Sequence, residues 1–192
     1  MKRISIAMSL LMALSLFASG PVEDETLSFP FETGTIVARY SSDRDSEPKP
    51  AVLLLHQAGL SKEEWNFLAP RLRKAGYQVL CLDLFGHGAS VVSGHSGGEL
   101  FYRIGTDPNL MPPVLSAVLN WLAERPEVDG TRIAVLGSGV GGSLAYLASG
   151  QNWPVKTAIA LSADAENVAS LTAGQSGFAP GNIFLIAGRL PA

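Results

Sequence analysis

The sequence predicts an α/β domain whose sheet is mostly parallel after an N-terminal β-hairpin. Three observations predict it. The apolar run at 51–55 has strand length and no alternation, as in a strand covered on both faces, and strand-like runs recur at 78–82, 132–136 and 155–161. Helix-forming stretches at 61–75, 112–124 and 140–149 stand between these runs, the order that builds a parallel sheet. Ahead of them, 27–31 and 35–40 alternate apolar and polar residues across Glu32-Thr33-Gly34, which reads as a hairpin.

Residues 1–20 open with Lys2 and Arg3, continue through an uncharged run and end in small residues, the layout of a secretory signal peptide. Export to the periplasm or the medium is therefore expected, with an uncleaved membrane anchor as the alternative. The apolar run is shorter than the roughly 20 residues of a membrane span. Residues 21–192 suit one domain. Residues 22–25 are acidic and read as loose, and 41–50, rich in Ser, Asp, Glu and Pro, as a surface loop. Ser61 followed by Glu64 forms a capping-box pattern, and Trp65, Leu68, Leu72 and Ala75 make an apolar stripe that Gly76 ends. Residues 86–98 read as a flexible glycine-rich loop and 164–172 as a short helix. The last apolar strand begins at Asn182 and ends at Ala187. With no strand after it, it would be an unguarded edge through which a homo-oligomer could form.

Composition narrows the function classes. A chain that is 47% hydrophobic and 16% charged is globular, and a net charge of −3 without a basic patch excludes a nucleic-acid binder. Cys81 is the single cysteine, so no internal disulfide can form, and its apolar surroundings read as core. No His, Cys and carboxylate cluster has metal-ligand spacing, and no cofactor is expected.

The chemistry-bearing corner is Gly137-Ser138-Gly139-Val140-Gly141-Gly142, a glycine-rich turn between a buried strand and a helix. It fits the dinucleotide pattern Gly-x-Gly-x-x-Gly, but it follows the third parallel strand and no acidic residue ends a strand about 20 residues on. Two earlier segments accompany it, Leu53-Leu54-Leu55-His56-Gln57-Ala58-Gly59 and Asp83-Leu84-Phe85-Gly86-His87-Gly88-Ala89-Ser90. In this order the three resemble the α/β hydrolases, and within them the dienelactone-hydrolase-like group. The resemblance implies a three-layer α/β-hydrolase sandwich, here lacking the last strand and helix and so incomplete at the C-terminus.

The resemblance also implies roles. Serine acyl transfer needs a nucleophile, a histidine base, a carboxylate that orients it, and two amides for the oxyanion. The amides would be those of Gln57 and Val140. Gly139 stands at the nucleophile position, where it has no hydroxyl. Ser138 is the nearest substitute, but adjacent side chains at a tight turn point in different directions. The acid is expected a few residues past Gly188, where Pro191 stands, with Asp164 as the alternative, and the base beyond a further C-terminal strand. His56 and His87 match structural histidines of the family loops, and His95 reads as a solvated loop residue. The expected function is an exported hydrolase-fold protein that binds a small acyl or carbonyl ligand without ester hydrolysis. The alternatives are a truncated serine hydrolase or carboxylesterase acting on esters or lactones, and an interaction protein using its exposed sheet edge.

Overall fold

A computed structural model describes residues 23–43, 47–92 and 97–187; the leader, His95 and the Gly188 to Pro191 acid position lie outside them. The elements are β1 (Glu23–Phe31), β2 (Gly34–Ser42), β3 (Lys49–Leu55), α1 (Ala69–Lys74), β4 (Gln78–Leu82), β5 (Val91–Val92), α2 (Gly97–Arg103), α3 (Met111–Ala123), β6 (Val128–Ser138), α4 (Val140–Ser149), β7 (Thr157–Leu161), α5 (Ala165–Thr172) and β8 (Ile183–Ile186). They form one mixed sheet in the order β1-β2-β4-β3-β6-β7-β8, with β5 added to β2. β1, β2 and β4 pair antiparallel, and β4, β3, β6, β7 and β8 are parallel. This is the open, mostly parallel sheet of the α/β hydrolases.

The apolar runs divide between two cores because strand side chains alternate faces. Leu53 and Leu55 of β3 point into the larger core with Leu115, Leu119 and Leu122 of α3 and Leu144 of α4. Val52 and Leu54 point the other way, onto Trp65 and Ala69. Both faces of β3 are therefore buried, as its unbroken apolar run predicts. The parallel strands hold their carboxyl ends together, with Leu55 opposite both Leu82 and Gly137, and Ser138 opposite Leu161. β8 is the last strand of the described sheet, and Phe184, Leu185 and Ile186 are each more than half exposed.

Four expectations need correction. Residues 23–25 are not loose but lengthen β1 against Tyr40, Ser41 and Ser42, at a sheet edge where Asp24 and Glu25 stay exposed. The 41–50 segment is not all surface loop. Ser41, Ser42 and Asp43 are buried because Asp43 pairs with Arg73 at 3.0 Å and with Lys49 at 2.9 Å, while the buried Gln78 side chain donates to the Asp43 carbonyl at 3.1 Å. The helix expected at 61–75 is split into a 3-10 turn (Lys62–Trp65) and α1. Pro70, in the first turn of α1, has no N–H and cannot continue a helix from residues before it. The glycine-rich loop is pinned in its first half, where Asp83 accepts the Ala89 amide at 2.8 Å and Ser90 Oγ donates to the Asp83 carbonyl at 2.7 Å.

Asp83 is the anchor of this end of the sheet. It is fully buried, and its carboxylate takes the Lys62 amide and the Lys62 ammonium, each at 2.7 Å. A buried carboxylate is tolerated only when such partners replace its water. Gly88 is required beside it, since a Cβ there would enter the Asp83 carboxylate. Among the described residues no helix is long and apolar enough to cross a membrane.

Candidate active site

The corner between β6 and α4 is built by close backbone approach. Gly137 packs on the Gly141 carbonyl, Gly141 on the Leu55 carbonyl, and a Cβ on Gly142 would lie 2.7 Å from the Leu161 carbonyl oxygen. No side chain fits at any of the three. Gly139, between them, has φ 52° and ψ −118°, the positive-φ turn of a strand-to-helix elbow, which glycine adopts without a Cβ penalty. Its amide donates to the Leu161 carbonyl at 2.9 Å, and its carbonyl accepts the Ser143 amide at 3.0 Å. The elbow backbone is thus held from β7 and from α4.

A Cβ at Gly139 would stand 3.0 Å from Cβ of Gln57, so Gly139 faces the segment after β3. Gln57 and Val140 therefore flank Gly139, one from the end of β3 and one as the first residue of α4. The first amides of a helix have no acceptor within it, which leaves them to a ligand. Val140 and Ala58 line an open cleft of about 390 Å³ with Phe101 and Tyr102 of α2 and Asp164 and Glu166. This concave surface adjoins the elbow through Val140.

Ser138 directly precedes Gly139 in the chain. In register with Leu161 and Ile186 it ends β6 one residue before the elbow, and its Oγ donates to Glu64 Oε1 at 2.6 Å. The other oxygen of Glu64 accepts the Gln57 amide at 2.8 Å. Glu64 therefore does not close the expected capping box. Ser61 Oγ accepts from the Glu63 amide at 3.3 Å, and Glu64 turns into the site instead. Sequence reading missed this role because Ser-x-x-Glu before an apolar stripe has a complete local explanation. Only the split of the helix frees Glu64 to face the sheet end.

Asp164 caps α5, its Oδ1 accepting the Asn167 amide at 2.9 Å, and its own amide donates to Ser143 Oγ at 3.1 Å. It reaches the rim of the cleft but no histidine bonds it among the described residues. His56 is fully buried, with Nδ1 at 2.7 Å from the Gln57 carbonyl and Nε2 accepting the Leu84 amide at 2.9 Å. His87 repeats the arrangement, with Nδ1 3.0 Å from the Phe85 carbonyl and Nε2 accepting the Gly59 amide at 3.0 Å. Each ring thus has an acceptor at Nδ1 and a donor at Nε2, the pattern of a neutral imidazole that ties two loops together. Burial raises the Cys81 thiol to about 11 despite Arg39 beside it, so it is a core residue and no nucleophile. Among the described residues no three His, Cys, Asp or Glu side chains are grouped to hold a metal.

Burial holds the His56 pKa below its ordinary 6.5, so the unfolded chain takes up a proton there that the folded chain refuses. The stability that neutral His56 contributes is complete above pH 6.5 and is lost as pH falls from that value toward the lowered one. Urea unfolding of the wild type should therefore weaken across that interval, and His56→Gln should flatten the slope. An unchanged slope in the variant contradicts the assignment.

The model of the dienelactone hydrolase family matches residues 36–171. Among solved structures, the chain is similar to an α/β hydrolase from Penicillium sp. sh18, with 20% identity and a TM-score of 0.61 over 74% of this chain and 46% of that one. Acetyl xylan esterase 1 from Thermoanaerobacterium sp. JW/SL YS485 gives 20% identity and a TM-score of 0.58 over 75% and 53%. The hypothetical protein PA2218 from Pseudomonas aeruginosa gives 20% and 0.62 over 85% and 49%. The chain spans about half the length of these structures. No curated protein matches it significantly. With the matched segment running from β2 into α5 and carrying the elbow, the chain belongs to the dienelactone hydrolase family.

Proposed function

We propose that this family member binds a small acyl or carbonyl compound at the elbow and does not turn over esters by serine acyl transfer. The observation that carries the reading is Gly139, which keeps the backbone of a nucleophile elbow and has no side chain to attack with. Gly139 lies inside the chain, so no residue from elsewhere can restore its hydroxyl. Loss of a nucleophile of this kind lowers kcat on the order of 10⁶-fold, leaving the residual that binding and amide donors supply. The Val140 amide does not depend on its side chain and can hold a carbonyl oxygen without attack, while the Gln57 amide, bonded to Glu64 at 2.8 Å, would join it only on release from that carboxylate.

The runner-up reading, an esterase, is favoured by one observation, the 2.6 Å hydrogen bond from Ser138 to Glu64. Hydrolysis of p-nitrophenyl acetate and butyrate separates the two. Wild type and Ser138→Ala are expected to be indistinguishable from the uncatalysed rate. Turnover by the wild type that Ser138→Ala abolishes would establish the esterase reading instead.

Export is part of the same proposal, supported by the basic start, apolar stretch and small residues of 1–20. Expression of the full chain in a Gram-negative host should yield a periplasmic or secreted form shortened at its N-terminus. A full-length product confined to the cytoplasm contradicts export.

A further inference from the structure

Glu64 spans two donors that belong to different strands. Its Oε2 takes the Gln57 amide at 2.8 Å and its Oε1 the Ser138 hydroxyl at 2.6 Å. Gln57 follows β3 and Ser138 ends β6, and these strands are neighbours in parallel register, with Leu55 opposite Gly137. The two donors are therefore fixed side by side by the sheet, at the spacing of the two oxygens of one carboxylate. Glu64 itself comes from outside the sheet. It lies on a four-residue 3-10 turn and is only partly buried, and its side chain makes no contribution to the cap, which Ser61 supplies. The sheet provides the receptor and a short turn provides the occupant.

From this we infer that the Gln57 amide and the Ser138 hydroxyl form a carboxylate-binding site that Glu64 fills in cis, and that a small carboxylate ligand enters by displacing Glu64. This rests on the reading of the elbow corner as a binding site, and it names the ligand class and the contact that keeps the site closed. The pair differs from the Gln57 and Val140 amides that would hold an oxyanion. It uses Ser138 as a donor to a carboxylate and not as an attacking group. A tethered carboxylate competes at high effective concentration, so weak ligands are excluded and a binder must add contacts of its own. Ala58 and Val140, chain neighbours of Gln57 and Gly139, line the cleft that could supply them.

The test removes the occupant and offers a free one. Melting temperatures of wild type, Glu64→Ala and the double variant Glu64→Ala/Ser138→Ala are compared in sodium acetate and in sodium chloride at equal ionic strength. Acetate should raise the melting temperature of Glu64→Ala by roughly 3–6 °C at tenfold excess over its dissociation constant, and leave wild type and the double variant unmoved. If Glu64→Ala does not fold, Glu64→Asp, whose shorter arm withdraws the carboxylate, takes its place in the same comparison. An acetate response equal in all three proteins, or none in the Glu64 variant, overturns the inference. Because no step depends on turnover, ester hydrolysis by the wild type would defeat the proposed function and leave this result readable.

Discussion

Backbone packed against backbone at the β6–α4 corner is the constraint on which the rest of this structure depends. Gly141 rests on the Leu55 carbonyl and Gly142 near the Leu161 carbonyl, so the start of α4 lies directly across the ends of β3 and β7. No other residue lets a helix approach a sheet this closely. That approach fixes where Val140 stands and turns Gly139 through its positive φ. It also puts Ser138 beside the segment that follows β3. A glycine at the centre relieves strain of about 1–3 kcal/mol that a serine would carry there. The architecture therefore accepts a glycine at this position, and can even gain from it.

Around this corner, polar groups do what apolar packing cannot. Asp83 binds the amide and ammonium of Lys62 and the amide of Ala89, and His56 and His87 bridge the two loops at the strand ends. The histidine rings lie 5.2 Å apart, and His87 stacks on Phe101 at 5.6 Å. Such a network fixes the loops only while every member is satisfied. It occupies both described histidines fully, and so the residues most tempting as catalytic bases are structural. Glu64 completes the arrangement by joining the amide after β3 to the hydroxyl at the end of β6.

Most of the fold was legible because burial on both faces leaves an unmistakable trace. The runs at 78–82 and 140–149 coincide with β4 and α4 residue for residue. The elbow was legible for a different reason, since closely spaced glycines after a strand have few physical uses. Two kinds of feature were not legible. Buried polar residues such as Ser41, Asp43 and Gln78 look like surface in a sequence, because their partners are distant in the chain. Glu64 looked explained already. Its partner Ser138 is 74 positions away, and only Pro70, which breaks the helix, hinted that the first turn stands apart.

On the proposed function, the elbow holds a carbonyl or carboxylate oxygen and has no side chain at Gly139 to attack it. The most direct measurement is intact-mass and peptide mass spectrometry after incubation with p-nitrophenyl acetate, following the peptide that carries Ser138. This peptide is expected to stay unacetylated over the time in which the reagent hydrolyses in buffer. Accumulation of an acetyl group on Ser138, blocked by unfolding the protein, would contradict it.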